Sequence, residues 1–306
     1  MTGTIELKLN DKNYIKFVKK LFGKKSYQGS IDFIEWAQQG GFLKTQAVLN
    51  STGEVSSIIQ MIDHSGTFDG KGTKSFFNFI ADPQEAGSGM LHLANIKRAN
   101  AFFIPAVSGE LSQTFISFGG KQVGLMWLQK TLLPVPSATF FKLFFGRSIN
   151  IHNQKKDTFI TNDVSSGLIA HISELAAPLS KKYIQWRLSS KGQQRIFIGY
   201  DSSWKGLVIA CVGKRKNIRV MRIICCYGDV KKINLILGQM LGLARRVGVF
   251  VVLVTTSEQV GRSVAKQHGF KVRLGAKTIT NNSQNLPVND FCMLAGDLGF
   301  EEQWGS

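Results

Sequence analysis

Apolar and polar positions divide the chain into short elements that recur in the same order in its two halves. In the first half the runs TQAVLN and VSSIIQMI flank the turn STGE, and in the second QRIFIGY and LVIACVG flank DSSWKG. Each half is therefore predicted to open an antiparallel meander. A strand leading into a helix follows in both: KSFFNFIA before a helix near 84–99, and IRVMRIICCYG before one near 231–247. A further strand (AFFIPAV, then VFVVLVTT) and a second helix come next. Leu235, Leu237, Met240, Leu241 and Leu243 recur at three- and four-residue steps, which predicts an amphipathic helix whose apolar face Ile236 widens.

The likeness between the halves extends to particular residues. Phe33-Ile34-Glu35-Trp36 reappears as Tyr183-Ile184-Gln185-Trp186, and Phe118-Gly119-Gly120-Lys121 as His268-Gly269-Phe270-Lys271, both at an offset of 150. Glycines follow each tryptophan (Gly40 and Gly41, then Gly192). A repeat of this period predicts two similar domains, with the two tryptophans at equivalent positions. The segment from about 135 to 180 separates the repeats. Pro134 and Pro136 stop the preceding strand, Phe140, Phe141, Phe144 and Phe145 form an aromatic run suited to packing between domains, and a helix near 165–176 enters the second domain before Pro178. The expected division is a domain over 1–135, a linker over 136–164 and a domain over 165–306. The fold class is α/β (α+β): two tandem domains, each a mixed, mostly antiparallel sheet flanked by helices.

Length and composition agree with this division, since 306 residues at 43% hydrophobic suffice for two cores. No apolar run is long enough for a signal peptide or a membrane span, so the expectation is a cytoplasmic protein without a transmembrane segment. The four cysteines, Cys211, Cys225, Cys226 and Cys292, form neither a disulfide framework nor a zinc pattern, and no metal is expected. Cys225 and Cys226 should point to opposite faces of a strand. The formal charge of +18, concentrated in the second half, favours anionic partners: a nucleotide-bearing cofactor, a nucleotide-activated sugar, a lipid head group, an acidic carrier protein or nucleic acid. No recognisable nucleic-acid motif is present, so nucleic acid is the least favoured of these.

One segment carries chemistry. Asp82-Pro83-Gln84-Glu85-Ala86-Gly87-Ser88-Gly89 falls where a strand gives way to a helix. A helix start presents unpaired N–H groups and a positive dipole end, and glycines let the backbone approach a phosphate closely. Gln84, Glu85, Ala86, Gly87, Ser88 and Gly89 here resemble the Q/R-x-x-G-x-G/A signature of the GNAT superfamily of acyl-CoA N-acyltransferases. The resemblance covers most of the chain as a fold-level pattern. It implies a β-bulged fourth strand splayed from the fifth (Ser75 to Ala81 and Ala101 to Val107), with acyl-CoA as co-substrate and its pyrophosphate on residues 84–89. It further implies that the backbone of Phe79, Ile80 and Ala81 bonds the pantetheine arm. The reaction implied is direct attack of an amine on the thioester, the amine belonging to an amino sugar or amino acid and being itself anionic in one version; an acyl carrier protein is an alternative donor.

The second half lacks the signature, because Tyr227-Gly228-Asp229-Val230-Lys231-Lys232 has no paired glycines. Donor binding is therefore assigned to the first domain, and the second reads as scaffold or acceptor platform. The family's usual glutamate base and tyrosine acid are also missing: the fourth strand offers Asn78, and the tyrosine neighbourhood offers Phe115 and Phe118. His64, after the third strand, is the chemically suited replacement base. Asp229 is a second candidate, with Asp63 and Tyr227 behind them; a plain turn at 63–66 and a helix cap at Asp229 are the alternative readings. His92 and His268 read as structural. The competing functional class is a non-catalytic double-domain protein that binds a ligand or partner.

Overall fold

The computed structural model describes residues 4–23, 26–64, 74–85, 87–99, 101–107, 109–132, 152–155, 157–176, 179–188, 196–215, 218–273 and 277–281. The aromatic run at 140–145, Pro178, Gly192 and Cys292 lie outside them, as does Ala86 of the loop. The first half contributes β1 (Thr4–Leu7), α1 (Lys12–Phe22), a 3-10 turn (Tyr27–Gly29), α2 (Ile31–Gly40), β2 (Leu43–Leu49), β3 (Val55–Asp63) and β4 (Lys74–Ala81). It continues with α3 (Met90–Arg98), β5 (Phe102–Val107), α4 (Gly109–Ser117), β6 (Lys121–Val123) and β7 (Leu125–Thr131). The second half contributes β8 (His152–Lys155), β9 (Thr158–Thr161), α5 (Ser166–Leu175), α6 (Lys181–Leu188), β10 (Ile196–Asp201), β11 (Gly206–Arg215) and β12 (Ile218–Gly228). It ends with α7 (Val230–Arg246), β13 (Val251–Ser257), α8 (Glu258–His268), β14 (Lys271–Val272) and β15 (Lys277–Thr280).

Two mixed sheets result, ordered β1-β2-β3-β4-β5-β15-β6 and β14-β7-β13-β12-β11-β10-β9-β8. The halves exchange strands: β7 of the first half pairs with β13 and β14, and β15 of the second half lies between β5 and β6. The exchange is a feature that a boundary at 135 does not capture. The expected linker over 136–164 is corrected as well, because β8 and β9 lie inside it and pair antiparallel, β9 in turn pairing with β10.

Three apolar clusters fill the spaces around the sheets. One lies between the second sheet and α7 and α8 and takes Leu128 and Leu132 from the first half. Another lies under α3 and α4 and includes Ile279 of β15. The third joins both halves through α1, α2, α5 and α6. At its middle the repeated tryptophans meet. Trp36 and Trp186 stack with ring centroids 4.4 Å apart and planes 10° from parallel, and each indole Nε1–H donates to the other's backbone carbonyl at 2.9 Å. Such a reciprocal pair is what two equivalent positions make when they face one another across an approximate two-fold axis.

Local chemistry accounts for the element ends. Asp11, Ser30, Ser165 and Asp229 each accept a first-turn N–H, capping α1, α2, α5 and α7. The repeated Gly119 and Gly269 both take positive φ, +87° and +65°, where α4 and α8 give way to β6 and β14. Along α7 the buried face comprises Ile233, Ile236, Leu237, Met240, Leu241, Leu243 and Ala244, while Leu235 is exposed. Ile236 is thus central to the apolar stripe and Leu235 lies outside it, a correction to the sequence expectation. Cys225 and Cys226 do face opposite sides of β12, one in the shared core and one beneath α7.

Candidate active site

β4 and β5 run parallel, but their register covers only Lys74 with Phe102 and Ser75 with Phe103. Registered pairing of β4 with β5 among the described residues ends at Ser75, and the strands part toward the end of β4. Phe79, Ile80 and Ala81 are half-buried there, unlike the buried Ser75, Phe76 and Phe77. On its other edge β4 is held by β3, where a register shift inserts one extra residue opposite Ile59. Asn78 at this bulge has φ +45°, a left-handed conformation that asparagine tolerates better than most residues. The bulge changes which face each side chain meets: Phe77 and Ile80 pack into the shared core, Phe76 and Phe79 into the cluster under α3. Asn78 is thereby turned toward α1 and the 3-10 turn.

At the end of β4 the chain makes a tight series of turns before α3. Glu85 N–H donates to Asp82 O at 3.0 Å, Ser88 N–H to Glu85 O at 3.3 Å and Met90 N–H to Gly87 O at 3.0 Å. Asp82 Oδ1 accepts Gln84 N–H at 3.0 Å, and its other oxygen accepts Lys20 Nζ at 2.5 Å. That lysine bond, then the Gln84 N–H, holds the Asp82 carboxyl below the usual range. Asn50 Nδ2 donates to Glu85 Oε1 at 2.9 Å, and Ser57 Oγ to Ser88 O at 2.9 Å, tying the loop to the neighbouring hairpin. Gly87 takes φ +77°; a Cβ on Gly89 would sit 2.8 Å from Phe79 Cζ. Among the described residues no acceptor meets the backbone N–H of Gly87 or of Gly89. The first turn of α3 holds no acidic side chain. A loop with two such N–H groups at a helix start, beside a lysine, suits a pyrophosphate.

The equivalent place in the second half is closed. β12 carries the matching irregularity, with a register shift opposite Ile209 and Ala210, and its parallel pairing with β13 ends at Ile223 and Val254. Yet a single residue, Asp229, separates β12 from α7. Its carboxylate accepts the N–H groups of Lys231 and Lys232 at 2.9 and 3.0 Å, occupying the helix start with the chain's own anion. Behind it Lys232 reaches the buried Asp201 at 3.6 Å, and a Cβ on Gly228 would lie 2.0 Å from Lys205 O.

His64 and Asp229 are not brought together by any bond among the described residues. Because β3 and β4 are antiparallel, the end of β3 lies beside the start of β4. His64 therefore sits beside the start of β4, at the end of the strand away from the loop. It is 1% exposed, its Nε2 is 3.1 Å from Ser75 Oγ, and its ring meets Tyr183 edge-on at 5.1 Å. Ser75 to Ala81 spans six residues, so His64 sits about 20 Å from the loop. Asp63 pairs with Lys44 at 3.7 Å. His92 is buried against Phe79, and burial lowers its pKa; burial does the same to His268, whose Nε2 lies 3.1 Å from Asn234 O.

Sequence reasoning missed a chain of polar side chains at the bulge. Asn78 Nδ2 donates to Gln60 Oε1 at 2.6 Å and to Tyr27 Oη at 3.2 Å. Gln60 Nε2 donates to Tyr14 Oη at 3.0 Å and to Thr45 Oγ1 at 3.4 Å, and Tyr14 donates to Gln28 O at 3.3 Å. The signal available was Gln60, one amide inside the apolar strand VSSIIQMID, which has to find partners if buried.

No protein-family model and no curated protein matches this chain. The fold itself is that of tandem GNAT proteins. Among solved structures the chain is similar to a tandem GNAT protein from the clavulanic acid biosynthesis pathway, at 9% identity and TM-score 0.53, covering 93% of this chain and all of that one. It is also similar to Saccharomyces cerevisiae N-myristoyltransferase with bound myristoyl-CoA, at 10% identity and TM-score 0.58, covering 93% of this chain and 83% of that one. A third likeness is to the GCN5-related glucosamine N-acetyltransferase region of a fungal multi-domain β-N-acetylglucosaminidase, at 12% identity and TM-score 0.58; it covers 92% of this chain and spans 38% of that protein. No helix among the described residues is long and apolar enough to cross a membrane, and none of them form a group of three His, Cys, Asp or Glu placed to hold a metal ion.

Proposed function

We propose that the first domain binds an acyl-CoA and transfers its acyl group to an amine. The observation that carries this reading is the loop at 82–89, where the N–H groups of Gly87 and Gly89 meet no acceptor among the described residues, set at the end of a strand that splays from its parallel neighbour. The loop and α3 would hold the pyrophosphate, and the open edge of β4 at Phe79, Ile80 and Ala81 would pair with the pantetheine amides. The thioester would then lie near the bulge, within reach of an amine entering past the 3-10 turn. The second domain, its own helix start capped by Asp229, serves as scaffold and completes the first sheet with β15. The acceptor class is an amine such as an amino sugar or amino acid, and the net charge of +18 suits an anionic one.

Calorimetric titration with acetyl-CoA tests the donor site, and thiol release during an amine screen tests transfer. Saturable binding that is lost in a folded Gly89→Val protein is the expected result. Wild-type affinity in that variant removes the donor from this loop. Binding without turnover on any amine makes the domain an acyl-CoA-binding module.

A further inference from the structure

The polar chain at the bulge has a fixed direction. A backbone carbonyl can only accept, so the bond from Tyr14 to Gln28 O commits the Tyr14 hydroxyl proton. Tyr14 Oη must therefore accept from Gln60, which orients the Gln60 amide with its NH2 toward Tyr14 and its carbonyl toward Asn78. Asn78 must answer with its own NH2, and both donors of that group are used, on Gln60 Oε1 and Tyr27 Oη. What Asn78 has left is Oδ1. The residue is half-buried, on the strand segment where β4 has left β5.

Resting on the acyl-transfer reading, we propose that Asn78 Oδ1 binds the attacking amine by accepting one of its N–H bonds, in an orientation dictated through Gln60 and Tyr14 by the Gln28 carbonyl. An amide oxygen can aim a nitrogen but cannot take its proton at neutral pH. The amine therefore reacts as the free base: its lone pair forms the C–N bond, the C–S bond breaks with its electrons going to sulfur, and the proton leaves through solvent to the released thiolate. The groups bonded to Asn78 from the packed elements are Tyr27 of the 3-10 turn and Gln60 of β3 and, through Gln60, Tyr14 of α1 and Thr45 of β2. Burial holds the Tyr14 phenol well above its ordinary value. The acceptor this selects is a weakly basic amine, present as free base at neutral pH, as in 2-amino sugars.

The test measures acetyl transfer from acetyl-CoA to primary amines of graded basicity, with acetyl-CoA affinity followed separately. Asn78→Ala should raise the amine KM about tenfold or more and leave acetyl-CoA affinity unchanged. In the wild type, kcat/KM should rise with pH along the titration of each amine. Asn78→Asp should add an ascending limb at lower pH that belongs to the enzyme. An unchanged amine KM in Asn78→Ala, or a wild-type profile in Asn78→Asp, overturns the proposal while acyl transfer stands. The orientation is also read without turnover: in 15N-labelled protein the Asn78 side-chain amide protons should exchange slowly, and Tyr14→Phe should release them. Rapid exchange in the wild type overturns the proposal whatever the amine assay gives. Acetyl-CoA binding with no acylated amine overturns the acyl-transfer reading, and the amine-holding role with it.

Discussion

Replacing Gly40 by alanine separates what helix propensity predicts from what the packing predicts. Gly40 is the last residue of α2, in ordinary helical space, so propensity alone favours alanine by up to about 1 kcal/mol. A Cβ there would lie 2.2 Å from Cδ1 and Nε1 of Trp186, where ordinary contact begins at 3.4 Å. The indole would have to withdraw by about 1.2 Å, the difference between those two distances. A shift of that size breaks the 2.9 Å bond that the Trp186 indole donates to Trp36 O and opens the 4.4 Å stack of the two rings, while the bond from Trp36 to the Trp186 backbone carbonyl can persist. Losing the one bond costs about 1 kcal/mol or more, and overpacking adds about 1–3 kcal/mol. Against the propensity gain, Gly40→Ala should destabilise by about 1–3 kcal/mol. Gly242→Ala is the matched control: it lies inside α7, nothing stands within 4 Å of its added Cβ, and it should stabilise by about 0.5–1 kcal/mol. Urea unfolding followed by far-UV circular dichroism measures both. Stabilisation by Gly40→Ala, or equal shifts in the two variants, would refute the placement of Trp186 over Gly40 and with it the tryptophan contact between the halves.

The exchange of strands predicts that Ile279→Ala, in the second half of the chain, loosens the first sheet: Ile279 is fully buried beside Gly120 and Phe115, and its truncation should cost about 2–5 kcal/mol. Hydrogen exchange should show the lost protection in β5 and β6, and loss confined to residues beyond 152 would contradict the topology. Burial lowers the folded-state pKa of His92, so its unfolded form takes up a proton first as pH falls. Its stabilising contribution is present above the ordinary histidine pKa of about 6.5 and declines below it, by at most about 1.4 kcal/mol per pH unit. His92→Phe should flatten that part of the stability profile, and an unchanged slope would show that His92 does not titrate. Gly87→Ala meets no steric contact but forces φ +77° on alanine, so it should cost about 1 kcal/mol and weaken acetyl-CoA binding less than Gly89→Val does.

What was legible in the sequence was local or repeated. The glycine pattern at 84–89 and the helix after it depend on neighbouring residues, and the structure forms a tight loop and a helix there. The offset of 150 between Trp36 and Trp186 announced equivalent positions, although nothing in a repeat says that the two copies touch. Strand direction explains why the surroundings of His64 were not legible: following β3 to its end gives a residue beside a strand, and only the antiparallel pairing shows that this is the end where β4 begins. The bulge was hidden because KSFFNFIA reads as an even strand, and no local feature says that Asn78 leaves the face of Phe76 for that of Phe77. The strand exchange was hidden for a similar reason, since β7 follows β6 immediately and neighbouring strands usually share a sheet.

The same topology makes the first sheet depend on the second half of the chain. Removing it would take β15 from between β5 and β6, withdraw Ile279 from the core beneath α3 and α4, and uncover Trp36 and the shared core around it. The first domain's cleft is framed by β4 and β5, and β5 has β15 as its partner on the side away from β4. Substitutions at the β5–β15 seam, far from the loop in sequence, should therefore act on the width of the cleft. Thr278 and Thr280 are the residues to examine, because their hydroxyls donate at 2.7 Å to the β5 carbonyls of Pro105 and Phe102. Thr280→Val leaves the side-chain volume nearly unchanged and removes one of these bonds, which should cost about 1 kcal/mol. If the seam supports the cleft, acetyl-CoA affinity should fall as the seam loosens; if affinity is unchanged while stability drops by that amount, β4 and its loop hold the donor without help from the second half of the chain.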